Sequence, residues 1–287
     1  MKKKTTLKAI CFTLLASVTL CACGNNGGQP SDSSAGAASI ARTTQESSSA
    51  EVKKSEPDKS KEYIYTKNPN LTPVNYDSPA LLGLTEDAGQ EYIDKLTFIC
   101  DSPGYWLIPF EMLKDGENTK QVWTGPENTQ TFAYYKECKI LDPNDKKEKF
   151  MWEAVAEHKP EYICIWLGMN GVSFLEEKEF ISIYKEMIED LRKASPESKF
   201  ICMSINPIKP GYANWDEINN DKITKCNSWI LKACEELGTH YVDMYGVIAD
   251  DDGTPKEELM LDDLHMNGKG LELILECIRT HAYIPEE

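Results

Sequence analysis

Three short segments of this chain carry side chains that could do nucleophilic chemistry. Ser102 lies in the segment CDSPG, Asn170 in GMNG, and Asp262 and His265 in DDLH. A serine hydroxyl can attack a carbonyl carbon, and a histidine held by a carboxylate can take its proton. An asparagine amide can stabilise the oxyanion that then develops. The residue types therefore indicate acyl transfer through a covalent intermediate.

Each segment also has a purely structural interpretation. Ser102 could be a helix N-cap, with Pro103 at the first helical position. Asn170 could be a turn residue, and DDLH could be a solvated acidic turn before a helix. Pro103 has no N–H, so the residue after the serine cannot donate to an oxyanion as in the nucleophile elbow of α/β-hydrolases. The N–H of Ser102 and donors from elsewhere would have to form the oxyanion hole.

His265 is the candidate base among the four histidines. It alone has a carboxylate at a fixed short spacing, because Asp262 precedes it by three residues. Such a carboxylate can accept a hydrogen bond from Nδ1 and leave Nε2 free to act as a base. The neighbouring Asp263 adds a second carboxylate, which would raise the basicity of His265.

Apolar runs alternate with amphipathic segments along the rest of the chain. The pattern predicts strands at 96–101, 162–167, 200–205 and 240–243, and helices at 85–95, 150–159, 176–194, 216–237 and 269–280. Apolar strands joined by helices of this length predict a mostly parallel sheet covered on both faces. The functional site of such a sheet lies beyond the carboxyl ends of its strands, where Ser102 and Asn170 stand.

In this order, the segments resemble the motifs of the SGNH (GDSL-type) hydrolase family. Residues 100–102 resemble its Gly-Asp-Ser block, Gly168-x-Asn170 its Gly-x-Asn-Asp block, and Asp262-x-x-His265 its Asp-x-x-His block. The resemblance covers the chain from about residue 92 to its end. It implies an α/β fold, a flavodoxin-like three-layer α/β/α sandwich with a mostly parallel sheet, and ester hydrolysis.

The resemblance also implies a role for each matching residue. Ser102 would be the nucleophile, His265 the general base and then the general acid, and Asp262 the residue that orients the imidazole. The oxyanion would be held by the N–H of Ser102, the Asn170 side chain and a glycine N–H. Gly125 is the candidate for that glycine, since a residue without a Cβ lets the backbone come close to the oxyanion.

Three departures from the family pattern stand close to these residues. Cys100 replaces the usual glycine, which would alter the packing behind the nucleophile. Gly171 replaces the aspartate after Asn170, so a hydrogen bond behind the asparagine would be missing. Asp263 is an additional carboxylate. None of the three removes an atom that the chemistry requires.

The N-terminal residues predict export. Residues 2–8 are rich in lysine, and residues 9–20 are mostly apolar but too short to span a bilayer, which is typical of a signal peptide. The sequence LCAC at 20–23 resembles the lipobox of bacterial lipoproteins, where cleavage precedes a cysteine that carries the lipid. Cys23 is the candidate for lipidation, and an ordinary signal peptide is the alternative. The lipoprotein interpretation predicts the outer face of a bacterial cell membrane.

Composition limits the classes of function and the domain organisation that remain. The 287 residues carry a net charge of −16, which excludes nucleic-acid binding. The predicted organisation is a signal peptide at 1–22, a lipidated cysteine and a Ser/Gly/Ala-rich tether at 23–62, and one hydrolase-like domain at 63–287. Seven cysteines follow Cys23, and their odd number and apolar surroundings indicate buried hydrophobic residues rather than a disulfide framework. No phosphate-cradling glycine loop or zinc-ligand spacing occurs, so no cofactor or metal is predicted.

Together these features predict a surface-anchored serine esterase that acts on esters of short acyl groups, including O-acetyl groups on carbohydrate. Its membrane contact would be the N-terminal lipid alone. Two alternatives stay open: an O-acyltransferase, in which a sugar hydroxyl replaces water, and a non-catalytic carbohydrate- or ligand-binding lipoprotein on the same fold. The aromatic residues Tyr105, Trp106, Tyr212 and Trp215 could line a sugar groove or pack into the core.

Overall fold

Five parallel strands form the sheet that positions the candidate residues. The computed structural model describes residues 68–285. The strands are β1 (Leu96–Cys100), β2 (Val122–Trp123), β3 (Ile140–Leu141), β4 (Glu148–Lys149), β5 (Tyr162–Trp166), β6 (Lys199–Met203) and β7 (His240–Val242). The helices are α1 (Gly89–Ile93), α2 (Ser102–Tyr105), α3 (Met151–His158), α4 (Glu177–Ala194), α5 (Asn220–Leu237), α6 (Tyr245–Ile248) and α7 (Gly268–Thr280).

The central sheet has the strand order β2-β1-β5-β6-β7, and every neighbouring pair is parallel. Numbered within the sheet alone, this is the order 2-1-3-4-5 of flavodoxin-like folds. The chain reverses its direction of winding between β1 and β5, and ligands bind at such a switch point. The segments carrying Ser102 and Asn170 follow these two strands. The predicted fold class is confirmed.

Side chains alternate between the two faces of the sheet and divide the core in two. In β5, Ile163 and Ile165 pack with buried residues of α3, α4 and α5 on one face. Cys164 and Trp166 pack with buried residues of α1 and α7 on the other. Because both faces of the strands are covered, the strands are mostly apolar, as the sequence indicated.

Two predicted helices begin later than their amphipathic patterns indicated. Helix α5 begins at Asn220 rather than at position 216, because the Asn219 side chain accepts a hydrogen bond from the backbone N–H of Lys222 and caps the helix there. Helix α1 covers only Gly89–Ile93. The residues before it donate backbone hydrogen bonds to the end of α7 instead, including one of 2.6 Å from Thr85 to the Thr280 carbonyl.

A segment before α1 covers the free edge of β7. Leu81 forms a parallel bridge with Tyr241, and the Tyr241 N–H donates to the Ala80 carbonyl at 2.8 Å. Pairing of this kind removes the exposed donors and acceptors that make an edge strand prone to association. Among the described residues, no helix combines the length and the apolar character that crossing a membrane requires. The predictions for the signal peptide, Cys23 and the tether lie outside the described residues.

None of the seven cysteines in the described part of the chain forms a disulfide. Six of them are buried, as the interpretation as core residues required, and Cys138 is half-buried. Burial raises the pKa of the Cys100 thiol well above its ordinary value, and the nearby Asp101 carboxyl raises it further. The Cys100 thiol therefore stays protonated and chemically inert in the folded protein.

Candidate active site

Ser102, His265 and Asp262 form a hydrogen-bonded chain of three side chains. The Ser102 Oγ lies 3.0 Å from the His265 Nε2, and the His265 Nδ1 lies 2.8 Å from an Asp262 carboxylate oxygen. The other oxygen of Asp262 accepts backbone N–H groups from Leu264 at 2.8 Å and from His265 at 2.6 Å. Such a chain can move the serine proton to Nε2 while the carboxylate fixes the ring and its tautomer.

Asp262 keeps its negative charge over a wide pH range. Burial would raise the pKa of this carboxyl, but hydrogen bonds from the His265 ring and from the two backbone N–H groups outweigh that effect and lower it to about 2. The adjacent Asp263 is exposed, and its backbone carbonyl accepts a hydrogen bond from Lys209 at 2.9 Å. Asp262 therefore supplies the carboxylate that contacts the imidazole.

The turn that carries Ser102 is held tightly against the sheet. Helix α2 begins at Ser102 itself, with Asp101 as the N-cap and Pro103 in the second position, so the alternative interpretation of Ser102 as the N-cap does not hold. A Cβ on Gly104 would lie 2.5 Å from Cys100 Cβ and 2.7 Å from its Sγ. Cys100 therefore fills the space behind the nucleophile, and only glycine at 104 lets the strand and the helix come this close.

Asp101 connects the serine turn to the loop after β5. Its side chain is buried, and the backbone N–H groups of Gly168, Met169 and Asn170 face its carboxyl. Burial raises the pKa of Asp101 to about 7, although these N–H groups partly oppose the rise. Among the described residues, its Oδ2 has no partner with hydrogen-bond geometry. Asp101 thus holds the loop of Asn170 beside the nucleophile turn.

The Asn170 side chain is anchored by a segment that follows β2. Its Nδ2 donates to the Gln130 carbonyl at 2.7 Å, and the Thr131 hydroxyl donates to the Asn170 carbonyl at 3.5 Å. The amide NH2 has two hydrogens, and Gln130 uses one of them. The second remains to donate to another acceptor.

Gly171 makes room for an aromatic ring. A Cβ at this position would lie 2.6 Å from Cε1 of Phe132. The Phe132 ring is fully buried and packs on Phe180 and Tyr184 of α4, with ring centroids 4.5 and 5.1 Å away. The family's aspartate after the asparagine would collide with this ring. Instead, the loop of Asn170 is fixed by the packing of Phe132 and by the hydrogen bond that Asn170 donates to the Gln130 carbonyl.

We expect Gly171→Ala to destabilise the protein by about 1–3 kcal/mol, because the new methyl group overpacks against Phe132. The smaller Phe132→Leu side chain should relieve part of that cost. Urea unfolding of the two single variants and of the double variant measures the coupling between the two positions. Strictly additive losses would mean that the ring of Phe132 is not what requires glycine at 171.

Gly125 lies two residues after β2, beyond the carboxyl end of the strand next to β1. A Cβ there would lie 2.0 Å from the Thr129 carbonyl oxygen, so backbone packing alone requires glycine. Its role as an oxyanion donor stays a prediction. Substituting Gly125 would disturb the turn to Thr129 whether or not its N–H contacts a substrate.

An aromatic side chain stands on the exposed side of the relay. Trp106 is half-buried, and its ring lies 5.8 Å from the His265 ring and 5.9 Å from the Phe110 ring, centroid to centroid. Trp106 thus belongs both to the edge of the core and to the wall of the site. Tyr212 and Trp215 pack partly against the opposite core, as the core interpretation of that pair required.

One cluster elsewhere has metal-ligand residue types. The ligand atoms of Asp142, Glu157 and His158 lie within 4.8 Å of one another. The Lys149 ammonium contacts Asp142 at 2.7 Å and Glu157 at 2.6 Å, and the His158 Nε2 lies 2.6 Å from Asp142. The Lys149 ammonium thus already supplies the positive charge that a metal ion would bring to these carboxylates. The cluster connects α3 to the β3–β4 hairpin.

Comparison with known proteins finds a family match for part of the chain. Residues 147–273 match the model of the GDSL-like Lipase/Acylhydrolase family. This similarity covers less than half of the chain. The matched segment contains Asn170, Asp262 and His265. Ser102 precedes the matched segment and joins it through the hydrogen bond to His265.

Solved structures similar to this chain include GDSL-like proteins. A GDSL-like lipase from Bacteroides thetaiotaomicron is 15% identical, covers 65% of this chain and 86% of its own, and has a TM-score of 0.46. A variant of an acetyl-xylooligosaccharide esterase from Geobacillus Stearmophilus is 15% identical, covers 66% and 94%, and has a TM-score of 0.45. No curated protein matches the chain.

No pattern in the sequence indicated that positions 130 and 132 support Asn170 and Gly171. Gln130 acts through its backbone carbonyl, so its side-chain type carries no signal. Phe132 looks like any core aromatic residue. The one available indication was the small Gly171 in place of the family's aspartate, because an unusually small residue beside a functional one often leaves room for a bulky neighbour.

Proposed function

We propose that this chain is a serine esterase that hydrolyses esters of short acyl groups, with Ser102 as the nucleophile. The observation that carries the proposal is the continuous relay from the Ser102 hydroxyl through His265 to Asp262, with contacts of 3.0 and 2.8 Å. The match of residues 147–273 to the GDSL-like lipase/acylhydrolase family supports the same reaction class.

In the proposed reaction, the Ser102 Oγ forms a bond to the ester carbonyl carbon while its proton passes to the His265 Nε2. The carbonyl oxygen becomes an oxyanion, held by the free N–H of the Asn170 amide and by backbone donors. The tetrahedral intermediate collapses, the C–O bond to the alcohol breaks, and Nε2 returns the proton to the departing oxygen. Water then attacks the acyl-enzyme in the same way, releasing the acid and restoring the Ser102 hydroxyl.

The open position of the site favours small or solvent-accessible esters. Ser102 and His265 are both half-buried at the carboxyl end of the sheet. We include O-acetyl groups on carbohydrate among the proposed substrates, because a domain exported to a bacterial surface would meet them there. Transfer of the acyl group to a sugar hydroxyl instead of water would use the same residues.

A fluorophosphonate probe tests the nucleophile directly. We expect one label per chain, mapped by mass spectrometry to the peptide that carries Ser102, and a loss of p-nitrophenyl acetate turnover in proportion to labelling. Label on another serine would overturn the assignment of Ser102. A folded protein that neither labels nor turns over the ester would favour a non-catalytic binding protein and contradict the proposal.

We further propose that Cys23 carries a lipid that anchors the protein to the outer face of the cell membrane. The support is the sequence LCAC at 20–23 after a short apolar run. In a bacterial host, Cys23→Ser should abolish incorporation of a labelled fatty acid, whereas the control Cys21→Ser should retain it. Incorporation that persists in Cys23→Ser would refute this anchor.

Asn170→Ala should lower kcat for p-nitrophenyl acetate by a factor of about 10²–10³, as the removal of one oxyanion donor typically does. The Asn170 side chain is exposed, so its removal should leave the fold intact. The lost hydrogen bond to the Gln130 carbonyl should cost about 1 kcal/mol of stability. A steady-state rate equal to that of the parent protein would remove Asn170 from the site.

A further inference from the structure

Two large aromatic side chains lie exposed and stacked on each other. Tyr134 is 55% exposed and Phe174 is 49% exposed. Their ring centroids are 6.0 Å apart and their planes differ by 17°. Isolated exposed apolar residues are ordinary, but a stacked pair presents one continuous aromatic surface to solvent. We call Tyr134 and Phe174 the aromatic platform.

The platform lies beside the proposed oxyanion site. Phe174 follows Asn170 by four residues and lies in a turn closed by the hydrogen bond from the Leu175 N–H to the Gly171 carbonyl at 3.3 Å. Tyr134 belongs to the segment that anchors the Asn170 side chain through the Gln130 carbonyl.

The base of the platform is joined to the core. Phe132, in the segment of Tyr134, is fully buried and packs against Gly171 in the segment of Phe174. This contact and the hydrogen bonds of Asn170 with Gln130 and Thr131 connect the two segments. A pre-formed surface of this kind binds a rigid ligand with little loss of conformational entropy.

The surroundings favour a neutral, hydroxylated ligand. The chain carries a net charge of −16, and Glu137 and Glu176 flank the platform in the sequence. Lys136, next to Tyr135, is paired with Glu186. Half-exposed rings do not remove an acyl chain from water on all sides, which is what its binding would require. A pyranose can lay its C–H face on a ring and keep its hydroxyl groups hydrated.

We propose that Tyr134 and Phe174 stack against the pyranose ring of an acylated carbohydrate while its ester carbonyl lies at Ser102. This inference rests on the proposed esterase function and specifies the substrate class of that same site. The platform contacts the sugar and takes no part in bond formation. It therefore contributes to KM rather than to the chemical step.

The test compares three esters in the full-length protein. Glucose pentaacetate offers a pyranose ring, ethyl acetate offers the same acyl group without any ring, and ethyl octanoate offers an acyl chain. Acid release at constant pH measures kcat and KM for each. The variants are Tyr134→Ala and Phe174→Ala, with Tyr134→Phe and Phe174→Tyr as ring-retaining controls. Ile284→Ala removes another exposed apolar side chain, at the C-terminal end of the described residues.

We expect each alanine variant to raise KM for glucose pentaacetate about 3- to 10-fold, the usual worth of one aromatic contact. Turnover of ethyl acetate should stay within about 2-fold, because no ring is there to stack. The ring-retaining variants and Ile284→Ala should behave like the parent protein. This pattern would support the platform.

Two results would overturn the platform without affecting the esterase. One is an unchanged KM for glucose pentaacetate in both alanine variants, with both variants still hydrolysing ethyl acetate. The other is a larger loss on ethyl octanoate than on the sugar ester, which would assign the surface to an acyl chain. A parent protein that hydrolyses none of the three esters and resists fluorophosphonate would instead refute the esterase itself, and the platform with it.

Discussion

Replacing Ser102 by alanine is expected to lower kcat for p-nitrophenyl acetate by about 10⁴- to 10⁶-fold, the range seen when a nucleophile of this kind is deleted. The variant keeps Asn170 and the backbone donors, so a residual rate above that of water should remain. The Ser102 Oγ makes one hydrogen bond, to His265. Its loss should change the free energy of unfolding by about 1 kcal/mol.

Steady-state kinetics of Ser102→Ala should be compared with those of Ser228→Ala. The Ser228 hydroxyl donates to the Lys225 carbonyl at 2.7 Å within α5, away from the relay. Its removal should leave turnover within about 2-fold of the parent at a similar cost in stability. If Ser102→Ala kept more than a tenth of the parent rate, an acyl-enzyme at Ser102 would be excluded.

Asp262→Asn should lower kcat about 10³- to 10⁴-fold by imposing the wrong histidine tautomer. The backbone N–H groups of Leu264 and His265 both point at one oxygen of Asp262, at 2.8 and 2.6 Å. In the variant these donors hold the amide oxygen on their side and direct the NH2 at the His265 Nδ1. The ring then carries its proton on Nε2 and cannot accept one from Ser102.

Asp263→Asn is the matched control, because it removes the same charge one residue away. The Asp263 side chain is exposed, and its backbone hydrogen bond with Lys209 does not depend on the carboxylate. An exposed carboxylate that interacts through water contributes little, so we expect kcat within about 3-fold of the parent. Equal losses in the two variants would show that net charge, rather than the tautomer, limits the rate.

The sheet could be predicted from sequence wherever five-residue apolar runs are buried on both faces. β1 and β5 were found within one residue of their ends, because strands buried on both faces are mostly apolar. β2 was missed, since two residues are too short for any periodicity. The start of α1 was set by tertiary hydrogen bonds to the end of α7, which no local pattern records.

The relay was predictable for a different reason. Asp262 and His265 are close in sequence, and their spacing alone allows the observed contact, so only the approach of Ser102 needed the fold. The support of Asn170 was not predictable, because it comes from a backbone carbonyl and a buried ring far away in the sequence. The exposure of Tyr134 and Phe174 was likewise not predictable, because it depends on how their two segments pack around the buried ring of Phe132.

The cysteine thiols of residues 68–285, which form no disulfide, can report local opening of the structure. A buried cysteine reacts with an alkylating reagent only when the structure around it opens, so its labelling rate reports the free energy of that opening. Cys138, half-buried, should react early and calibrate the reagent. Cys100 lies under Gly104 in the serine turn, and Cys226 and Cys234 lie in α5. Site-resolved alkylation can therefore separate opening of the catalytic turn from unfolding of the distant helix in a single native sample.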